Sequence, residues 1–382
     1  MTENENYLSE QLITYIGNKR SLLNFIREGV ELAQNELGKS KISTFDVFSG
    51  SGIVSRFLKK YSSHQYANDM ENYASIISEC YLSNKKDLDL QKIQNFYDLL
   101  TKSCEENMQN FLDESKTSFK KIPGFISEYY APKDLNNIQS GERCFYTPYN
   151  ACYIDCMRQL IATEIPQEYQ KFFIAPLLSE SSIHANTGGV FKGFYKNSKT
   201  GIGKFGGNGA NALTRIQGHI KLPFPVFSSY KSNFTVFQSD ANLLVKEKKA
   251  PKVHLAYIDP PYNQHPYGSN YFMLNLIADY KKPDPEKMSL VSGIPKNWNR
   301  SDYNKKKLVK NKFQEMLQNL NAKYLLISFN NEGFISEEEM IELLSSVGEV
   351  RVLEANYNAY RASRNLSTRA LHTKEFLYIV KK

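Results

Sequence analysis

Asp259-Pro-Pro-Tyr262 combines residue types that could do chemistry together. Two prolines set a carboxylate, a carbonyl and an aromatic ring in a stiff row, because each fixes φ, lacks an N–H and holds its predecessor extended. Such a segment presents preorganised acceptors. The Asp259 carboxylate and the Pro260 carbonyl can both accept from one amino group, while the Tyr262 ring gives a planar base an apolar face. An amino group on a base is the natural ligand. The preceding run, Val253-His-Leu-Ala-Tyr-Ile258, is short, apolar and ended by the prolines, so it reads as a buried strand entering a loop. Asp259 then stands at a strand's carboxyl end, the edge of an open α/β sheet where ligands bind.

A strand buried in this way needs a large core around it. With 382 residues and 41% hydrophobic content the chain is long enough to build one, in about two to three domains. The net charge of +8 suits a polyanionic partner without requiring one. No apolar run approaches membrane-spanning length, and the acidic, polar start Met1-Thr-Glu-Asn-Glu-Asn6 is unlike a secretory leader, so a cytoplasmic protein is expected. The five cysteines form no Cys-x-x-Cys pair. Cys152 and Cys156 would share a helix face, but no histidine stands at ligand spacing; buried, reduced thiols are expected and no metal.

The other candidate elements lie nearer the amino terminus. Tyr15-Ile-Gly-Asn-Lys19 is a glycine turn entering a helix, with Ser21 as the expected N-cap, and it offers N–H groups and a cation to an anionic group. Ile42 to Phe48 reads as a strand running into Ser49-Gly-Ser-Gly52 and then a helix, the opening of a nucleotide fold whose glycines admit a ligand close to the backbone. Ser55 stands where a dinucleotide fingerprint has its third glycine, which argues against NAD and for a cofactor without pyrophosphate. Gln65 to Asp69 reads as the end of a second strand, closed by a carboxylate of the kind that holds ribose hydroxyls.

Phe48-Ser-Gly-Ser-Gly52, Asn68-Asp69 and Asp259-Pro-Pro-Tyr262, in that order behind Tyr15-Ile-Gly-Asn-Lys19, resemble an S-adenosylmethionine-dependent DNA adenine-N6 methyltransferase. The likeness is to the Dam-related alpha group, many of whose members are the modification half of type II restriction systems, and it covers roughly residues 12 to 80 and 234 to 382. It implies an α/β fold: a Rossmann-like methyltransferase sheet with helices on both faces. Residues 1–84 and 233–382 would form the catalytic domain, and 85–232 an inserted target-recognition region. It implies S-adenosylmethionine as cofactor, held by Tyr15, Gly17, Asn18, Lys19, Asp46, Phe48, Ser49, Gly50, Gly52, Asp69, Asp240 and Asp259, with Asp240 near the adenine ring. Catalysis would fall to Asp259, Pro260, Pro261 and Tyr262. The partner would be double-stranded DNA, and a cognate restriction endonuclease would act in the same system without forming a complex. Serine in place of Asp259 would suggest cytosine-N4 methylation and asparagine protein-glutamine methylation, so Asp259 argues for adenine.

Residues 75 to 232 are too long for a single crossover and are expected to form an insertion. Within it, Ile93, Phe96, Leu99, Leu100, Phe111 and Leu112 have helical spacing, and Phe172 to Leu178 reads as core. Residues 187–196 and 200–209 are rich in glycine, cations and aromatics, the composition that follows a phosphate backbone and stacks on bases. Lys192, Lys196, Lys204 and Arg215 are its candidate DNA contacts. After Asp259, Asn270 to Ala278 reads as an amphipathic helix, and residues 279–312 as a mobile basic loop over DNA, with Lys296 and Arg300 as contacts and Trp298 and Tyr303 among them. Tyr324 to Gly333 reads as a strand and turn behind the base pocket, Phe329 joining Tyr262 on the faces of a flipped base. Phe376 to Val380 reads as a closing strand. Before it, Tyr357, Tyr360, Arg361 and Arg364 form a loop set to meet DNA. Two further readings stay open: an RNA adenine methyltransferase, and a DNA-binding regulator that has lost catalysis.

Overall fold

The protein is described from a computed structural model covering residues 2–109, 123–207, 211–358 and 372–382. Its strands are β1 (Ile42–Asp46), β2 (Ser62–Asp69), β3 (Asn233–Gln238), β4 (Val253–Ile258), β5 (Ala322–Asn330), β6 (Glu349–Asn358) and β7 (His372–Lys381). They pair into one sheet in the order β3-β2-β1-β4-β5-β7-β6. β3, β2, β1, β4 and β5 run parallel, and β7 inserts antiparallel between β5 and β6. From β1 the chain steps outward to β2 and β3, then returns to the other side of β1 as β4. The switch point therefore lies between β1 and β4, and their carboxyl ends flank a crevice.

β4 and β5 are almost wholly buried, as parallel strands covered on both faces must be. One face is covered by the helices Leu23–Leu37 and Ile53–Leu58, whose Ile26, Val30, Val54 and Leu58 meet Leu255, Leu326 and Leu377. Gly29 permits the close approach, since a Cβ there would lie 2.9 Å from a Leu326 methyl. The helices Ala241–Lys246, Val309–Asn319 and Glu337–Ser345 cover the other face. The last of these starts on a capping box, Ser336 with Glu339, that the sequence reading passed over, as it did β6. The expected Ser21 N-cap is corrected. Residues Arg20–Leu22 form a 3-10 turn, and the helix proper begins at Leu23 with no side-chain cap, because the Gly17-Asn18 turn runs directly into helical backbone and puts Ser21 inside it.

The segment between β2 and β3 contributes the helices Leu90–Gln109, Pro148–Glu164 and Gln167–Ile183 to a separate apolar core. Two helices of the sheet's own connections enter that core, Asn72–Tyr81 after β2 and Phe272–Asp279 after β4. Phe172 to Leu178 is buried as expected, and so are all five cysteines. Leu99 is not: it is 43% exposed, on the outer side of the helix Leu90–Gln109. Phe111, Leu112, Tyr360, Arg361 and Arg364 lie outside the described residues. Phe191 and Phe194 pin the glycine-rich tract to the insertion core and leave Lys192 and Lys204 exposed, with one bridge between Lys196 and Gly203. Among the described residues no helix is long and apolar enough to cross a membrane.

Leu326, fully buried in β5 against Gly29, tests this packing. Leu326→Ala is expected to cost about 3 kcal/mol in urea unfolding, the range for a buried leucine whose surroundings collapse only partly. A loss well under 1 kcal/mol would mean that the helix Leu23–Leu37 does not press on the sheet there.

Candidate active site

The crevice at the carboxyl ends of β1, β2 and β4 is a cleft of about 910 Å³, its mouth included. From β1 come Asp46, Phe48, Ser49 and Gly50; from β2, Asn68 and Asp69; from β4, Asp259, Pro261 and Tyr262. Tyr15, Gly17, Asn18 and Lys19 close one side, and Asp240 lies at the β3 end. All the residues expected at the cofactor therefore line it except Gly52, which ends the loop at φ +75° as N-cap of the helix Ile53–Leu58. Of the expected catalytic residues, Pro260 is buried and does not line the cleft.

The local geometry follows from the residue types. Gly50 has φ +49°, and a Cβ would come within 2.8 Å of the Tyr15 ring, so only glycine lets the loop pass beneath that ring. The loop is then tied to β2: the Gly50 N–H donates to Asp69 Oδ2 at 2.8 Å, and the Glu71 N–H to Asp69 Oδ1 at 2.9 Å. Tyr15 packs against both Tyr267 and Tyr271, at 5.0 and 4.7 Å between centroids, and those two rings lie 5.9 Å from each other. Asp240 caps the helix Ala241–Lys246 by accepting from the Leu243 N–H at 3.0 Å.

Lys19, 2% exposed, puts its Nζ 3.3 Å from Asp259 Oδ1 and 2.7 Å from Glu375 Oε1, and 5.6 Å from the centre of the Tyr262 ring. Burial works against its charge, but the two carboxylates outweigh that and hold its pKa well above the ordinary value. Acids dominate the rest. Among the described residues lining the cleft, Asp46, Asp69, Glu71, Asp240 and Asp259 face a single cation, Lys19. Burial pushes Asp259 up to about 7; Lys19 resists the rise and Glu375 adds to it. Asp46 is also pushed to about 7, first by burial and then by Asp259 and Asp69, against a hydrogen bond from Ser55 at 2.6 Å and the Phe48 backbone; among the described residues its Oδ1 has no close hydrogen-bond partner. Glu71 reaches about 7 through burial and the charge of Asp69. Asp69 is raised by burial against three backbone N–H donors.

Several residues here were missed in the sequence. Glu71, two positions past Asp69, could have been found as an acid between a strand end and a helix. Asn299, Ser301, Tyr303 and Asn304 correct the reading of residues 279–312 as a loop over DNA: this part forms a cleft wall, with Tyr303 buried edge-on against Phe48 at 5.3 Å and Asn299 bonded to Glu71 at 3.2 Å. Lys296 and Arg300 of the same segment are exposed, Arg300 lying 3.9 Å over the Trp298 ring. Phe329 is also corrected. It is buried behind Tyr262, edge-on at 5.4 Å, and supports that ring instead of facing the cleft. A second, wider groove shares Tyr15 and Asn18 with the cleft and carries Arg20, Arg215 and Thr187 but, among the described residues, no carboxylate.

A parallel sheet closed by an antiparallel hairpin, with a switch-point cleft charged to receive a cation and a carboxylate beside an aromatic ring, defines an enzyme of the α/β methyltransferase class. Residues 15–343 match the family model of the D12 class N6 adenine-specific DNA methyltransferases, and the chain belongs to that family. It is similar to the type II methyltransferase M.CviAII of Paramecium bursaria Chlorella virus 1, 28% identical over 96% of this chain and 98% of that protein. It is similar also to the type II methyltransferase M.NlaIII of Neisseria lactamica, 28% identical over 97% and 99%. The modification methylase StsI of Streptococcus sanguinis is 27% identical over 96% of this chain but only 52% of its own length.

The crowded acids make stability depend on pH. Asp46 holds a proton in the folded chain up to about pH 7, whereas the unfolded chain releases it near pH 4. Its contribution to stability therefore falls as pH rises between those values. Asp46→Asn, which keeps the shape, should gain stability over the wild type by roughly 2–3 kcal/mol more at pH 8 than at pH 5 in urea unfolding. Equal differences at both pH values would mean that Asp46 ionises normally.

Proposed function

We propose that this protein transfers the methyl group of S-adenosylmethionine to the exocyclic N6 amino group of adenine within a specific sequence of double-stranded DNA. It would be the modification enzyme of a restriction-modification system, with a cognate endonuclease as a functional partner and a cytoplasmic location. The observation that carries this reading is the Asp259 carboxylate beside the Tyr262 ring, at the end of β4, inside a cleft whose described residues bring five carboxylates and one cation.

That charge balance fits S-adenosylmethionine, which carries a sulfonium and an ammonium against one carboxylate. It would repel a pyrophosphate. Lys19 and the turn at Gly17 would meet the anionic end or the substrate, Asp46 Oδ1 and Asp69 would accept from donor hydroxyl or ammonium groups, and Phe48 with Tyr303 would border the adenine. When bound, S-adenosylmethionine supplies an electrophilic methyl on a positively charged sulfur.

This chain's residues would do the rest. The adenine amine is a poor nucleophile because its lone pair is delocalised into the ring. Accepting one of its N–H bonds at Asp259, which lines the cleft where Pro260 does not, favours a pyramidal nitrogen with the lone pair free for the methyl carbon. As the nitrogen accepts the methyl group, Asp259 would stabilise the positive charge that develops on it and take up the proton it releases. A base inside a duplex cannot reach this depth, so it must be extruded onto the Tyr262 ring. The wider groove beside the cleft, with Arg20, Arg215 and no carboxylate among its described lining residues, suits the strand that carries it. Residues 85–232 would choose the sequence, with Lys192, Lys196 and Lys204 at the phosphates.

The deciding experiment is transfer from labelled S-adenosylmethionine to unmethylated duplex DNA, with nucleoside analysis and an RNA control. Labelled N6-methyladenine in DNA is expected; label in RNA alone would overturn the reading. Asp259→Ala should lower kcat at least about a thousandfold, by the scale of lost electrostatic and positioning effects, with S-adenosylmethionine affinity changed far less. For the wild type, kcat/KM should fall as pH drops through about 7, where free-enzyme Asp259 takes up a proton. A flat profile from pH 6 to 8 would remove Asp259 from that role.

A further inference from the structure

Glu375 lies on β7, opposite Asn330 of β5 in the register, and is completely buried. It does not line the cleft, and no sequence motif marks it. Its Oε1 accepts two hydrogen bonds, from Lys19 Nζ at 2.7 Å and from Ser328 Oγ at 2.6 Å, while its Oε2 has no partner among the described residues. A fully buried carboxylate with an unsatisfied oxygen is destabilising, and a structural ion pair would not need a second carboxylate on the same cation. Here Lys19 has two, and the nearer is the one away from the cleft: 2.7 Å to Glu375 against 3.3 Å to Asp259.

We propose that Glu375 is a positioning residue for methyl transfer: it anchors the Lys19 ammonium so that this cation touches Asp259 through Oδ1 and leaves the other carboxylate oxygen to the substrate amine. Without the anchor, Lys19 would settle fully onto Asp259, and the resulting ion pair would compete with the amine for the same oxygens. The inference rests on the methyltransferase reading above. The charged and titratable groups around Asp259 are Lys19 from the amino-terminal turn, Glu375 from β7, Asp46 from β1, Tyr257 from β4, Tyr262 after it and Tyr267 from the short helix Tyr267–Asn270. Glu375 raises the proton affinity of Asp259, so its charge also tunes the acceptor.

Glu375→Gln tests this, since the amide keeps the shape and can still accept from Lys19 and Ser328. Per active enzyme, kcat should fall at least about tenfold, the equivalent of one hydrogen-bond-sized loss in the transition state. KM for DNA and affinity for S-adenosylmethionine should stay within about twofold, because neither is bound by Glu375. The acid limb of kcat/KM should move down by about one pH unit as a neighbouring negative charge is removed. Ser328→Ala, which loosens the same oxygen but leaves the Glu375 charge in place, should lower kcat by less without moving the acid limb, and serves if the first variant does not fold. A Glu375→Gln enzyme with lower melting temperature but wild-type kcat and pH profile would overturn the proposal and leave Glu375 purely structural. An inactive wild type would overturn the underlying reading with it.

Discussion

The structure turns on one buried ammonium. Lys19 is shared between carboxylates from β4 and β7, Asp259 and Glu375, so three distant parts of the chain meet at a single point. Removing Lys19 would leave both carboxylates without a cation, a loss of about 3–5 kcal/mol. The cluster therefore demands that the sheet be complete. Glu375 is buried only because β7 inserts between β5 and β6 in one register, and a slip by one residue would turn it to the opposite face. Correct assembly of the closing hairpin and correct placement of the Asp259 carboxylate are thus the same event.

The charges are separated by depth. The chain is basic overall, with a net charge of +8, yet among the described residues the cleft is lined by five acids and one lysine. Cations lie outward: Arg20 and Arg215 in the neighbouring groove, Lys192, Lys204, Lys296 and Arg300 exposed. A polyanion is attracted to the surface and repelled from the crevice, while an uncharged planar group can enter it. For an enzyme of this family the arrangement separates backbone from base before any side chain reads a sequence.

What the sequence made legible was local. Asp259-Pro-Pro-Tyr262 carries its geometry in its prolines, and Gly50 and Asp69 sit where a strand meets a loop, so neither needs a distant contact to be recognised. What stayed hidden depends on tertiary placement. Glu375 occupies an ordinary position in an ordinary strand, and only Lys19, 356 positions away, gives it meaning. Asn299 and Tyr303 lie among lysines and read as solvent-facing loop, but Tyr303 is buried by Phe48 and the helix Val309–Asn319. The helix Phe272–Asp279 showed its periodicity, but periodicity does not say that its apolar face belongs to the insertion's core. β6 was overlooked although its register with β7 spans ten residue pairs. Its charged residues, among them Glu349 and Arg351, diluted the apolar pattern, as edge strands commonly do.

The raised pKa values of Asp46, Glu71 and Asp259 describe a cleft held at some cost to the fold, since carboxylates that repel one another and lack water prefer to be protonated. Such a site binds a cation more strongly than a neutral molecule of the same shape. In the reaction proposed above, the donor enters with a positively charged sulfur and leaves as a neutral sulfide. The carboxylates around it therefore lose one unit of attraction at the moment of transfer, while Asp259 gains a positive amine beside it. The same repulsion that weakens the empty fold thus favours the charged donor over the spent one and moves the electrostatic pull from sulfur to nitrogen along the reaction.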